Sequence, residues 1–231
     1  MFTQIILISF CGGLLCLDRI FIQAMISRPI VIAPVIGLIL NNPYAGLIIG
    51  AMIEMFWIDR VPIGIYIPPN DSLVAVLATS VAILAGWKLG SVSPELIAFS
   101  ILLFIPFGIL AKQIDVLIIK SNDHLSDQAL EDAKNSDIRA IEQKTYLGLL
   151  KTLLFYIVYL LVLQAIFIPA VIWVYPKLAP AIMKMLTMIY YFLPILGIAV
   201  ALNTIKLRGA IPVFCAIFLI IAVALELFHV F

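Results

Sequence analysis

Apolar residues run along this chain in long blocks separated by short polar or proline-rich breaks. The blocks fall at about 2–17, 29–40, 44–58, 72–87, 95–119, 146–175, 180–203 and 209–231. The run LGLLKTLLFYIVYLLVLQAIFIPAVIWVY, residues 147–175, exceeds the ~20 residues a helix needs to cross a bilayer. The second and third blocks are shorter. RPIVIAPVIGLIL is bounded by Pro29, interrupted by Pro34 and relieved by Gly37. At ~1.5 Å per residue, neither this segment nor AGLIIGAMIEMFWI spans ~30 Å of hydrocarbon as a helix. Joined through LNNPYAG, the two predict a re-entrant, broken-helix hairpin over 29–58. Irregular backbone at membrane depth survives only against protein or a water-filled cavity. Short Gly/Pro-interrupted segments of this kind point to a transporter's substrate site, which places the candidate chemistry in residues 18–72.

Composition turns this pattern into a fold class. Of 231 residues, 65% are hydrophobic and 12% charged, with net charge +1 and mean hydropathy +1.21. A soluble domain carries about 25% charged residues. The chain therefore reads as an all-α, polytopic integral membrane protein, a helical bundle forming one membrane-embedded domain over 1–231. Nothing basic clusters in a way that suggests nucleic acid. Cys11, Cys16 and Cys215 lie in apolar runs without metal-ligand spacing and read as small buried hydrophobes. Residues 1–17 lack a basic leader and an A-x-A cleavage site, so they read as a retained first span.

One long polar stretch, 112–146, separates N-terminal helices (1–111) from C-terminal membrane helices (147–231). Its mixed charges and helix-forming residues predict amphipathic helix plus turn. Lys112, Lys120, Lys134, Arg139, Lys144 and Lys151 lie in it or at its edge, which places it on the cytoplasmic side. Lys206 and Arg208 then also face the cytoplasm, and the C-terminus faces out.

The polar residues inside apolar blocks are the candidate site. Gly46, Gly50 and Glu54 recur every four positions and share one helix face. The glycines admit a second backbone, and the carboxylate projects into that contact. A carboxylate at a helix centre costs roughly 2.5–3.5 kcal/mol on insertion scales, so Glu54 faces an interior or a cavity. A GxxxG packing face, or a glutamate near the interface, is the plainer alternative. Asp18, Gln23 and Arg28 stand in LDRIFIQAMISRP, where Asp18-Arg19 marks a break and Arg28 reads as satisfying freed carbonyls. Asn41 and Asn42 sit at the hairpin tip, where turn chemistry accounts for them about as well as a functional role does. In PIGIYIPPND, residues 62–71, two prolines end any helix, and Asn70 or Asp71 caps the next one, SLVAVLATSVAILAG. That helix carries a small-residue stripe at Ala75, Ala78, Thr79 and Ala82. Glu54, Asp71, Asn70 and Gln23 together supply carboxylates and amides, which suit a neutral polyol. No nucleophile elbow, P-loop or Ser/His/Asp arrangement is present, and His124 and His229 lack catalytic surroundings. No catalytic residue, metal site or cofactor is expected of this chain alone.

The run SRPIVIAPVIGLILNNPYAGLIIGAMIEMFWI, followed by VPIGIYIPPNDSLVAVLAT, resembles the IIC membrane subunit of the mannose/fructose/sorbose class of bacterial phosphotransferase permeases. The shared features are RPIV with P-x-x-G-x-x-L, then G-x-x-x-G-x-x-x-E, then P-I-G-x-x-x-P-P, in order over about 60 residues. The resemblance implies a sugar-translocating subunit in the bacterial inner membrane, all-helical with re-entrant elements, oligomeric, and working with a IID membrane subunit. Soluble IIA and IIB proteins would carry the phosphoryl group, and a hexose or hexosamine would be phosphorylated as it enters. It further implies that Glu54, Asn70 and Asp71 contact sugar, with Asp18 and Gln23 as further candidates and Arg28 and Asn42 in supporting roles. Where the family commonly has Gly-Asp, this chain has Asn41-Asn42. The alternatives are a cation-coupled secondary transporter with Glu54 as proton carrier, and a non-transporting assembly or regulatory subunit using the glycine face for contacts.

Overall fold

The computed structural model describes residues 1–60, 66–204 and 210–227, and every regular element among them is helical. In chain order these are α1 (Phe2–Cys16), α2 (Pro29–Ile39), α3 (Pro43–Phe56), α4 (Asp71–Leu89), α5 (Pro94–Lys134), α6 (Ile138–Val174), α7 (Pro180–Thr204) and α8 (Ala210–Leu227). Single 3₁₀ turns follow α1 at Leu17–Arg19 and α6 at Tyr175–Lys177. Among the described residues, five helices are long and apolar enough to cross a membrane. Residues 62–65 of PIGIYIPPND, Lys206, Arg208 and His229 lie outside the described residues, so the orientation read from Lys206 and Arg208 rests on sequence alone.

The predicted short hairpin is α2 and α3, of 11 and 14 residues, roughly 16 and 21 Å long and each too short for a bilayer core. One expectation needs correcting: Pro34 does not break α2, which runs unbroken through it. Proline's fixed φ is itself helical, so in this short helix it removes one donor without ending the run. At the tip, Asn41 takes a left-handed φ of 54° and Asn42 Oδ1 accepts from the Ala45 N–H at 3.1 Å, capping α3. Gly46 and Gly50 face the backbone carbonyls of Ala33 and Pro29, so close that a Cβ at either position would collide. These two glycines let the helices touch along their backbones.

α4 stands at the centre, packed by α1, α2, α3, α5 and α6. Every residue from Ser72 to Gly86 is buried. The small-residue stripe therefore widens to the full circumference, as expected of a helix apolar on all sides. Gly90, at φ 100°, ends it, and Ser93 Oγ caps α5 by accepting from Leu96 N–H.

The polar stretch forms the distal halves of α5 and α6, with a turn at 135–137 and Asp137 capping α6 through Ala140 N–H at 3.1 Å. α5 has 41 residues, about 60 Å, twice the hydrocarbon thickness. Lys144 pairs with Asp132 across the two helices, and Lys151 Nζ donates to the Ser121 carbonyl at 3.0 Å. α7 is tied to α5 where Thr187 Oγ1 donates to Glu95 Oε1 at 2.8 Å. α8 packs on α7, with Phe192 stacked on Phe218. Of the three cysteines only Cys16 is buried; Cys11 is half-buried and Cys215 is exposed on the apolar surface of α8.

Candidate functional site

The corner before α4 is pinned from three helices. Asn70 is fully buried and uses all of its polar groups. Its backbone N–H donates to the Gly108 carbonyl at 3.0 Å, and Oδ1 caps α4 by accepting from Leu73 N–H at 3.1 Å. Its Nδ2 donates to both oxygens of Asp115 on α5, at 3.3 and 3.0 Å. Tyr156 on α6 completes the group, its hydroxyl donating to Asp115 Oδ1 at 2.9 Å.

Asp71, one residue on, points elsewhere. Its Oδ1 accepts from Arg19 Nη1 at 2.8 Å and from its neighbour's N–H, that of Ser72, at 3.0 Å. Arg19 also reaches the Pro69 carbonyl, at 3.5 Å. Asp71 Oδ2 accepts no bond from a described residue. A carboxylate here also sits at the positive end of α4.

Glu54 lies where the glycine face of α3 meets the start of α2. Its Oε1 is 3.2 Å from Arg28 Nη1, and Oε2 accepts a long bond, 3.5 Å, from Ile30 N–H. The packing reading and the projecting-carboxylate reading are thus two aspects of one contact: Gly46 and Gly50 bring the backbones together and Glu54 meets the first turn of α2. Arg28 has the extended backbone expected before a proline. Its side chain pairs with Glu54, where sequence reasoning had it bonding free carbonyls. Glu54 and Asp71 lie within electrostatic range of each other, each paired with its own arginine.

Asp18 is buried and committed to its own loop. It accepts from the N–H groups of Ala24 (2.9 Å) and Ser27 (3.1 Å) and from Ser27 Oγ (3.3 Å). The chain wraps around this carboxylate, with Gln23 and Met25 at left-handed φ of 57° and 63°. Gln23 is exposed on that loop and bonds to none of Glu54, Asn70 or Asp71. The structure therefore sets Asp71 beside Asn70 with Glu54 in electrostatic range of Asp71, commits Asp18 to its own loop, and leaves Gln23 apart.

Sequence reasoning missed Arg19, Asp115 and Tyr156. Asp115 continues the buried face Phe104, Gly108, Ala111, and Tyr156 continues Thr152 toward Leu160 and Gln164. That helical spacing was the available signal. Two cavities, of about 420 and 240 Å³, lie elsewhere, one between α5 and α6 beside Ile20 and Phe21, the other beside Met1 and Trp87. Among the described residues no group of His, Cys, Asp and Glu has a metal-binding arrangement.

What this set can do chemically is bind hydroxyls. Carboxylates accept from sugar O–H groups, and guanidinium N–H groups donate to sugar oxygens.

The model of the PTS system sorbose-specific IIC component matches residues 2–230. A stretch of 82 residues is 30% identical to the putative N-acetylgalactosamine permease IIC component 2 of Escherichia coli (strain K12). That match covers 36% of this chain and 59% of the relative's length. Among solved structures, one described as a membrane protein superposes with a TM-score of 0.73 at 19% identity, covering 99% of this chain and 92% of that one. The mannose transporter ManYZ in complex with microcin E492 superposes with a TM-score of 0.64, also at 19% identity, covering 100% and 92%. With five helices able to span a membrane and a family match over nearly its whole length, the chain belongs to the sorbose-type IIC components of the phosphotransferase system, as a multi-pass inner-membrane protein.

Proposed function

We propose that this chain is the sugar-translocating IIC subunit of a phosphoenolpyruvate-dependent phosphotransferase permease. In this reading it binds a hexose or hexosamine between the α2–α3 hairpin and the start of α4. The observation that carries the reading is the pairing of two carboxylates with two arginines in a chain of membrane-spanning helices, Glu54 with Arg28 and Asp71 with Arg19. Such charges are costly in a bilayer and are retained where they line a substrate path. Among the described residues nothing donates to Asp71 Oδ2, and the long Ile30 contact leaves Glu54 Oε2 weakly used, so both can accept from sugar hydroxyls without leaving their arginines.

The division of labour follows from the bonds. Asp71 and Glu54 contact sugar; Asn70 caps α4 and orients its neighbour; Asp18 anchors the 17–28 loop; Gln23 contacts sugar only if that loop moves. The names of the relatives, an N-acetylgalactosamine permease component and a mannose transporter, support the substrate class. Translocation requires a IID-type membrane subunit, with IIA and IIB carriers supplying the phosphoryl group from the cytoplasmic side, where the α5–α6 projection lies.

The test is sugar phosphorylation by membranes holding the IIC and IID subunits with purified soluble carriers. Phosphoenolpyruvate-dependent product is expected with the unsubstituted chain and none with Glu54→Gln or Asp71→Asn, both inserted normally. Uptake that a protonophore collapses and that ignores the soluble carriers would replace this reading with a cation-coupled one. Stable co-purification with a partner, with no sugar bound or moved, would indicate an assembly subunit.

A further inference from the structure

Asp115 and Tyr156 lie outside the carboxylate–arginine set, yet both are buried. Between Pro94 and Asp115, α5 runs roughly 30 Å, and the α5–α6 projection continues beyond it. Asp115 is 8% exposed and Tyr156 1%. Three donor contacts converge on the one carboxylate: two from the Asn70 amide and one from the Tyr156 hydroxyl. Asn70 needs that acceptor, because an amide NH₂ buried without one loses its water hydrogen bonds for nothing. With Nδ2 held by Asp115, the amide has one orientation, Oδ1 toward Leu73 N–H, and that orientation makes the cap. The Gly108 carbonyl fixes the backbone of the same residue. Asp71 is the next residue, so the direction of its carboxylate toward Arg19 is set by how Asn70 is held.

We infer that Asp115, supported by Tyr156, is a positioning residue for the sugar site, acting through Asn70 on the Asp71 carboxylate. The inference rests on Asp71 being a sugar contact. It adds that the α5–α6 pair, which bears no sugar contact itself, sets the site's geometry. Mere α5–α6 adhesion would treat this tie like the neighbouring one, Tyr159 Oη to the Phe107 carbonyl at 2.8 Å. That neighbour joins the same two helices without touching Asn70, and so serves as the structural control.

The experiment uses the purified IIC–IID complex with Tyr156→Phe, Asp115→Asn, Asp115→Leu and Tyr159→Phe, each read two ways. Amide hydrogen exchange over residues 70–74 is measured without sugar. Affinity is measured with mannose, glucosamine, N-acetylgalactosamine and sorbose, using whichever the unsubstituted complex binds. Tyr156→Phe is expected to speed exchange at 70–74 and weaken sugar binding about tenfold, the change that goes with one hydrogen bond to a charged group. Asp115→Leu is expected to exceed that loss, and Asp115→Asn, which keeps an acceptor for Asn70, to recover part of it. Tyr159→Phe is expected to leave both readouts at the unsubstituted values. Equal effects of Tyr159→Phe and Tyr156→Phe, or sugar affinity unchanged in Asp115→Leu, would overturn the inference. If Asp115→Leu does not fold, Tyr156→Phe decides alone. If exchange responds as expected but no sugar of the panel binds the unsubstituted complex, it is the sugar-site reading that fails.

Discussion

Two adjacent residues in the corner before α4 have different tasks, and their bonds say which has which. Asn70 is used up by capping and by Asp115, whereas Asp71 faces Arg19 with one oxygen unclaimed among the described residues. Replacing Asn70 with alanine removes the cap and leaves Asp115 short of donors. A stability loss of roughly 2–4 kcal/mol is expected from the two effects together, read as a lower unfolding midpoint in detergent. Asp71→Asn keeps the shape and the cap and is expected to cost far less stability while removing sugar-dependent phosphorylation. The cap was legible in the sequence because it is local chemistry. The partners of Asp71 and Glu54 were not, because Arg19 lies 52 positions from Asp71 and no spacing rule reaches that far. Asp18 is the opposite case: the sequence offers it as a further sugar candidate, and its carboxylate accepts from the backbone of its own loop.

At the scale of elements, the short hairpin was the most readable part of the chain. Length ruled out a span, and the Gly46, Gly50, Glu54 periodicity named the face that meets α2. Gly50→Ile would drive a branched side chain into the Pro29 carbonyl and the Ala33 Cβ. Overpacking of this kind costs about 1–3 kcal/mol. Because Glu54 sits one turn further on, the Arg28 pair should also separate, so unfolding midpoint and sugar affinity are expected to fall together. Asn42→Ala, at the far end of the same hairpin, is expected to cost about 1 kcal/mol and to leave affinity unchanged. Asp115 was hidden because 112–146 was set apart by its average polarity, and Tyr156 because it lies inside the apolar run 147–175. Followed by face, the buried stripe of α5 continues through Ala111 and Asp115 to Ile118, and the membrane helix does not stop where the composition changes.

Across the whole molecule, α4 is the centre and its start is the meeting point. The hairpin brings Glu54, the loop after α1 brings Arg19, and α5 and α6 hold Asn70. The large apolar residues exposed on α1, α6 and α8, Phe10, Phe155 and Ile220 among them, suit contact with lipid or a membrane partner. The α5–α6 turn is expected to face the cytoplasm. A cysteine placed at Ser136, in a chain with Cys11, Cys16 and Cys215 replaced by alanine, should react with a membrane-impermeant maleimide in inverted vesicles and not in intact cells. Labelling in intact cells would reverse the orientation and with it the side from which the phosphoryl carriers approach. The central claim, that Asp71 and Glu54 hold the sugar, is tested most directly by calorimetric titration of the purified IIC–IID complex with the four-sugar panel. Saturable binding of at least one sugar is predicted for the unsubstituted complex, lost in both Asp71→Asn and Glu54→Gln. Binding of that sugar with undiminished affinity in both variants would contradict the account.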